Sequence, residues 1–194
     1  MRRVFLTLCL LVLALLVLLS WLSAGGWLPA FSAPPLLAGT AASWSVVGAP
    51  SVSAHFLDEV LSAYHSPAAG LGQTLYDDGV AVNIDPVYAL AFFWHESTFG
   101  RYGWANVNHS LGNIRCSAGY RCQGGFRSYA TWQQGVADWY QLIHDLYVEQ
   151  LGLRTVEQIV PVYAPSSDHN DVQAYIQAIE QAVQTWRRGQ VVVS

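Results

Sequence analysis

The sequence predicts a mainly α-helical protein with a single domain of about 140 residues and a small β excursion, enough chain for one hydrophobic core. Three observations lead to this prediction. Apolar residues recur at helical spacing in successive stretches between residues 51 and 188, the glycine-rich stretch 101–131 interrupts the pattern once, and no internal repeat divides the chain. We therefore expect one helical domain over residues 51–188, followed by a short tail over 189–194.

The first residues of the chain have the pattern of a targeting segment. Two arginines precede an almost unbroken apolar run over residues 4–19. Such a run is typical of an export signal, but with Trp21 and Leu22 it nears the length of about 20 residues that spans a bilayer. We expect residues 1–24 to be a signal peptide or a membrane-anchor helix, and residues 25–50, rich in Ala, Ser, Pro and Gly, to be a linker. The protein would then be extracytoplasmic, either secreted or membrane-anchored at the cell envelope.

The charge balance disfavours two classes of partner. All nine basic residues are arginines, two of them in the N-terminal segment, and they face thirteen acidic residues. The resulting negative charge argues against nucleic acid and against an anionic membrane surface. The chain also has eight tryptophans and ten tyrosines, and those outside the core would suit a surface that stacks on sugar rings.

The two cysteines of the domain lie close together in "CSAGYRC". Cys116 and Cys122 have Gly119 midway between them, which suits a short loop closed by a disulfide in an exported protein. A metal site would need two further ligands nearby, and the nearest histidine, His109, stands alone. We therefore predict a disulfide between these two cysteines.

Two helices are predicted before residue 84. Apolar residues of the stretch 52–65 share one helical face, and the stretch 72–83 continues in helical composition. Pro67, Gly70 and Gly72 separate the two.

The next stretch, residues 84–100, has the sharpest helix start in the chain. Asp85 can cap free backbone N–H groups, and Pro86 suits the first helical turn, where its missing donor is not needed. The following residues are apolar nearly all round, which predicts a helix buried in the centre of the domain. Gly100 and Gly103 are expected to end it.

The C-terminal half is predicted from similar signals. Residues 101–131 are irregular, with a short strand in "GGFRSYAT", and residues 131–153 return to a helix with one apolar side. A short helix over 155–163 is expected to stop at Pro161. A loop over 166–171 then leads into a last amphipathic helix.

The pair His95–Glu96, at the end of the central helix, first suggests a zinc protease. That motif needs a second histidine four residues after the first, so that both face the metal, and this position is Phe99. A serine hydrolase would want Gly-x-Ser-x-Gly, which is absent, and the cysteines are each other's best partners. His95 is therefore interpreted as a bystander.

Glu96 is the candidate catalytic residue that remains once the zinc, serine and cysteine mechanisms are set aside. It lies beside Phe92, Phe93 and Phe99, where desolvation would raise the pKa of a carboxyl group and keep it protonated near neutral pH. A protonated carboxylic acid at such a place is how a glycosidase supplies its general acid. From the chemistry alone, a solvated helix end is an equally good interpretation.

Five motifs follow one another in a set order: "PVYALA", "HESTFG", "NHSLGNIRC", "FRSYATWQQGVADW" and "VYAPSSDHNDVQAYI". In this order they resemble the glucosaminidase domains of glycoside hydrolase family 73, which are bacterial peptidoglycan hydrolases of the lysozyme-like superfamily. The resemblance covers about residues 52–188, and no single motif is specific by itself. It implies a lysozyme-like α+β fold and an endo-β-N-acetylglucosaminidase that cleaves the β-1,4 bond after N-acetylglucosamine.

The resemblance also implies roles for particular residues. The catalytic acid falls on Glu96, and a tyrosine near the reacting sugar falls on Tyr163. The substrate-binding positions fall on Asn108, Gly112, Tyr129 and Trp132. Each has a plainer interpretation, because Tyr163 and Trp132 could be core residues and Gly112 a backbone requirement.

One departure from the two-carboxylate pattern of glycosidases bears on the mechanism. Between Glu96 and Asp138 the chain has no Asp or Glu. One possibility is that Asp168 or Asp171, in the loop after the predicted short helix, supplies the second carboxylate. The other is that Glu96 acts first as the acid and then as the base. We place Asp168 among the substrate-binding residues, and leave open whether water, the N-acetyl group or a sugar hydroxyl is the nucleophile.

The partners follow from this interpretation. We expect the protein to act as a monomer on peptidoglycan glycan strands, without a metal or organic cofactor. Two alternatives are a non-catalytic glycan-binding or wall-scaffolding domain, and a lytic transglycosylase that uses the same glutamate.

Overall fold

A computed structural model describes residues 44–194 of the chain. The predicted signal or anchor segment and most of the predicted linker lie outside the described residues. Within residues 44–194, no helix is long and apolar enough to cross a membrane.

The described part of the chain is mainly helical, as the sequence predicts. Its α-helices are α1 (Ala54–Ala63), α2 (Gly72–Ala81), α3 (Pro86–Ser97), α4 (Gly103–Asn108), α5 (Trp132–Gln141), α6 (Val156–Tyr163) and α7 (Val172–Arg187). A π-helical segment, Leu142–Gln150, continues α5, and a short 3-10 turn, Ser166–Asp168, lies between α6 and α7. Two strands, β1 (Cys122–Gln123) and β2 (Phe126–Arg127), form a small antiparallel hairpin.

Helix α3 is the centre of the domain. The Asp85 side chain caps it by accepting a hydrogen bond from the backbone N–H of Val87, and Pro86 occupies the first turn. Nine of its twelve residues are buried. Helices α2 and α7 pack directly against it, while α1 and α5 pack against α2, and α6 packs against α7. The prediction of a helix buried on all sides is confirmed.

The β hairpin is held by the predicted disulfide. Cys122 pairs with Arg127 across the hairpin, and the Cys116–Cys122 bond joins β1 to the segment before it, with Cα atoms 5.6 Å apart. Helix α4 was not predicted. It is a short helix that begins after Tyr102, and its C-cap, His109, adopts a left-handed backbone conformation.

The domain extends beyond both predicted boundaries. Val46 is buried and exchanges backbone hydrogen bonds with Arg154 and Asp85, so residues 44–50 belong to the domain rather than to a linker. At the other end, the backbone N–H of Val193 donates to the Tyr64 hydroxyl. The predicted tail therefore packs on the domain too, because the side chains of Val191 and Val193 contact the hydrophobic core.

Two helix predictions need correction. The predicted single helix over 131–153 changes to π-helical geometry at Leu142. Pro161 does not stop α6, which runs to Tyr163 with the proline inside it. A proline in the last turn removes only one hydrogen bond from so short a helix, and burial of Ile159 and Val160 offsets that loss.

The Asp85 carboxylate gives a test of how α3 is fixed. One oxygen caps α3 and also accepts from the Ser51 backbone, and the other accepts from Arg187 at 2.9 Å. We expect D85A to lose about 2–3 kcal/mol of unfolding free energy, because it removes both a helix cap and the partner of a partly buried arginine. D85N keeps the capping oxygen and should lose about half as much. Urea unfolding at neutral pH measures both. No loss in D85N would contradict a role for the ion pair, and equal losses in the two variants would contradict a role for the cap.

Candidate active site

Glu96 lies in the last turn of α3, where the chain leaves the core. Thr98 and Phe99 follow in the left-handed region, with φ of 47° and 57°, and their N–H groups bond back to the carbonyls of Trp94 and Phe93. This conformation is costly for side chains of that size. Burial of the Phe99 ring against Tyr64 and Trp186 holds the turn in place. The helix therefore ends abruptly and leaves Glu96, half-buried, at the wall of a cleft.

Two side chains from distant parts of the chain hold Glu96. The Tyr175 hydroxyl, on α7, donates to Oε1 at 2.7 Å, and the Asn113 side-chain amide donates to the Glu96 backbone carbonyl at 3.0 Å. Burial raises the pKa of the Glu96 carboxyl above its ordinary value. The hydrogen bond from Tyr175 and the nearby Asn113 amide oppose that rise without cancelling it. The arrangement favours a carboxylic acid whose proton is retained to higher pH than usual.

The aromatic surroundings of this acid differ in part from the sequence expectation. Phe92 contacts both Tyr163 and Tyr175, with ring centroids 5.2 and 5.8 Å away. Phe93, in contrast, packs against Trp139. The predicted phenylalanine cluster is therefore divided, and the rings beside Glu96 are mainly tyrosines that Phe92 supports.

Tyr163 lies at the end of α6 and lines the same cleft as Glu96. Its hydroxyl donates to the Gly112 carbonyl and accepts from the Trp139 indole N–H at 3.2 Å. Burial raises its pKa well above the ordinary value, so the phenol stays protonated and keeps donating. A Cβ on Gly112 would lie 2.5 Å from the Trp139 ring and 2.8 Å from the Tyr163 hydroxyl. Gly112 is thus a steric requirement of the cleft wall.

The main cleft has a volume of about 380 Å³ and passes between the β hairpin and α6. Among residues 44–194, the acids that line it are Glu96 and Asp168. Asp168 forms an ion pair with Arg115, with 2.7 Å between Oδ2 and Nη2. The Arg115 side chain is 69% exposed, so this pair lies at the rim of the cleft and not in its depth.

A second cleft, of about 330 Å³, also has Glu96 in its wall. Glu96, Asn113 and Phe126 line both clefts. Exposed aromatic side chains, Tyr102 and Trp104, line the second one only. The two clefts therefore share the wall that contains Glu96.

A buried arginine braces the hairpin wall of the main cleft. Arg127 donates to Asp138 at 2.8 Å and to Ser117 at 2.9 Å, and its guanidinium lies 3.6 Å from the centre of the Tyr120 ring. The Tyr129 hydroxyl donates to the same Asp138 oxygen. This network ties the disulfide loop and the hairpin to α5.

The structure brings three of the predicted site residues to one cleft: Glu96, Tyr163 and Asp168. The alternative second acid, Asp171, instead caps α7 by accepting from the Ala174 backbone N–H. Gly112 acts through its carbonyl, which accepts the hydrogen bond from the Tyr163 hydroxyl.

The other predicted substrate-binding residues line neither cleft. Asn108 is fully buried and donates to the Gln123 carbonyl, which fixes the hairpin to the end of α4. Tyr129 is committed to Asp138. Trp132 packs edge-on against His109, with centroids 5.0 Å apart. In this structure they support the site without lining it.

Sequence reasoning missed three residues that shape the site. Tyr175 lies in the stretch predicted as the last amphipathic helix, and nothing local marks it as the partner of a residue 79 positions earlier. All three residues lie inside motifs that carried the resemblance, Asn113 in "GNIRC", Arg127 in "FRSY" and Tyr175 in "VQAYI". Their place in those motifs was the available signal.

Residues 44–194 contain no group of three His, Cys, Asp or Glu side chains placed to hold a metal ion. A scan of protein-family models and a search of curated proteins gave no match to this sequence.

The raised pKa of Glu96 predicts a pH-dependent stability difference. A folded state that holds this proton more tightly loses stability, relative to the unfolded chain, as pH rises from about 4.3 through the folded-state pKa. Gln cannot ionise, so E96Q should be more stable than the wild type at pH 7.5, with a Tm about 2–4 °C higher. The difference should shrink as pH falls towards 4. Thermal unfolding of both proteins between pH 4 and 7.5 measures this difference in Tm. A difference that stayed constant over the range would contradict a raised pKa for Glu96.

Removing the Tyr175 hydroxyl should raise the pKa of Glu96 further, because that hydrogen bond favours the charged carboxylate. The measurement is the ¹³C NMR titration of the Glu96 side-chain carboxyl in the wild type and in Y175F. Y64F is the matched control, since the Tyr64 hydroxyl accepts from Val193 instead. An unchanged or lowered pKa in Y175F would show that the bond does not act on the carboxyl.

Proposed function

We propose that this protein is an exported, lysozyme-like peptidoglycan hydrolase that cleaves the β-1,4 bond after N-acetylglucosamine. The observation that carries the proposal is the position of Glu96. Its carboxyl has a raised pKa, and the residue lines two clefts. A glycosidase needs such a protonated acid beside a bond whose two sugars extend in opposite directions.

The sequence resemblance supports the same proposal. It puts the acid of the glycoside hydrolase family 73 glucosaminidases on Glu96 and their site tyrosine on Tyr163. These two residues come from α3 and α6, 67 positions apart, and line the same cleft. A mainly helical domain with a two-stranded hairpin beside the acid is compatible with the lysozyme-like fold that the resemblance implies.

The first chemical step is proton donation. The Glu96 carboxyl gives its proton to the glycosidic oxygen while the bond from that oxygen to C1 breaks, so the leaving sugar departs as an alcohol. Tyr175 holds Oε1 throughout and stabilises the carboxylate that forms. Asn113 holds the carbonyl of the same residue, which restricts the backbone beneath the acid.

Asp168 is poorly suited to be the second catalytic carboxylate. It is ion-paired with Arg115 at the rim, and it would have to give up that pair in order to take a proton from water. We therefore propose that the substrate's own N-acetyl group attacks C1 as the glycosidic bond breaks. Water then adds to C1 of the cyclic intermediate as the bond from C1 to the acetyl oxygen breaks, which restores the N-acetyl group. The proton of that water passes to the Glu96 carboxylate, which restores the acid.

The proposed chemistry also implies a partner and a location for the protein. Glycan strands of peptidoglycan are the proposed partner, at the cell envelope, and the site contains groups for acid catalysis without a cofactor. Arg115 and Asp168, paired at the rim of the main cleft, would contact the strand as it enters.

The decisive experiment compares the wild type with E96Q on a peptidoglycan suspension. We expect the wild type to clear the suspension and E96Q to be slower by at least about 10²-fold, the contribution of a general acid. Mass spectrometry of the products should show reducing N-acetylglucosamine ends. Anhydro sugar ends would instead identify a lytic transglycosylase. If both proteins are inert yet sediment with the wall, the domain binds glycan without cleaving it.

A second substitution tests the role given to Asp168. If the N-acetyl group is the nucleophile, D168N should keep kcat within about tenfold of the wild type, because only a contact at the rim is lost. A loss as large as that of E96Q would show that Asp168 is the missing base. R115Q is the control, since it breaks the same ion pair and leaves the carboxylate in place.

A further inference from the structure

The second cleft carries exposed aromatic side chains that the proposed chemistry does not use. Tyr102 is 61% exposed and Trp104 is 45% exposed, and both line this cleft beside Glu96. Of the tryptophans in residues 44–194, Trp104 is the only exposed one. Two large aromatic rings left in water at the edge of a cleft lose the stabilisation that burial would give them.

The Trp104 ring is held in place from behind by the β hairpin. A Cβ on Gly124, in the turn between β1 and β2, would come within 2.3 Å of the indole carbon Cε2 and 2.4 Å of Cδ2. Gly124 also has φ of +62°, in the region that glycine enters most easily. The indole therefore rests directly on backbone that only glycine allows to approach so closely.

Tyr102 is supported in a different way. The Arg101 guanidinium lies over its ring, 5.2 Å from the centre, as in a cation–π contact. Each ring thus has a neighbour from the protein, yet each keeps about half of its surface exposed. Rings that are positioned before a ligand arrives lose little conformational entropy on binding.

The remaining lining of this cleft points to a neutral ligand. Glu96 is its only acidic lining residue, and no lysine or arginine lines it. The side-chain amide of Asn113 and the rings of His95 and Phe126 complete the wall around the acid. Neutral walls with aromatic rings and few polar groups suit the apolar face of a pyranose ring.

We propose that Tyr102 and Trp104 form a stacking subsite for one amino sugar of the glycan, in the second cleft beside Glu96. This inference rests on the proposed function, because it takes Glu96 as the point of cleavage. The subsite binds the strand on one side of the reacting bond and sets how far the strand extends past the acid. Its aromatic rings recognise the sugar ring itself and not a charged substituent.

The test uses E96Q as the parent, so that binding is measured without cleavage. Isothermal titration calorimetry with soluble, uncross-linked peptidoglycan glycan strands gives the affinity of E96Q and of the double variants. We expect W104A to weaken binding about tenfold and W104F about threefold, in line with the energy of an aromatic contact. Y102A should also weaken it.

V107A is the matched control. Val107 is 52% exposed on the same helix α4 but lines neither cleft, so its affinity should equal that of E96Q. A far-UV circular dichroism melt of each variant shows that the fold is intact. As a second readout, saturating strands should quench tryptophan fluorescence in E96Q, and W104F should lose most of that change.

The outcomes separate the two proposals. If E96Q binds strands and W104A binds them equally well, the stacking subsite is wrong while the proposed function stands. If E96Q itself fails to bind and the wild type releases no sugar, the proposed function is wrong and the subsite falls with it. A loss confined to Trp104 and Tyr102 variants, with V107A unchanged, supports the subsite.

Discussion

The burial of helix α3 on all sides is the constraint on which the rest of the structure depends. A helix with apolar residues around its whole circumference can be stable in water only if other helices cover it. Here α2 and α7 pack on it directly, and nine of its twelve residues are buried. Its ends are then the places where it can meet solvent, and Glu96 lies at one of them. The position of the acid follows from the packing of the core.

The walls of the clefts come from elements that reach the acid from other directions. Asn113 reaches the Glu96 backbone from the loop after α4, and Tyr175 reaches its carboxyl from α7. The hairpin wall is held by the Arg127 network and by the disulfide. An acid on a buried helix, held by partners from separate elements, has its geometry fixed before any ligand binds.

The same arrangement has a cost for stability. A half-buried carboxyl with a raised pKa opposes folding once it ionises, and a left-handed phenylalanine stores strain next to it. The core of α3 offsets both effects. Tyr163 and Tyr175, whose pKa values burial raises well above the ordinary value, remain reliable hydrogen-bond donors around the acid. Stability is therefore given up at the place where we propose that the chemistry occurs.

The sequence by itself determined the helical class, the buried central helix with its Asp85 cap, the disulfide, and Glu96 as the residue of interest. These depend on local patterns: period, capping, spacing and the end of an apolar run. Only the tertiary structure decided that Tyr175 holds the acid, that Asp168 is tied to Arg115, and that Tyr129 and Trp132 line neither cleft. Contacts between residues far apart in the chain depend on how helices pack, and a buried aromatic residue has the same sequence pattern whether it faces the core or the cleft.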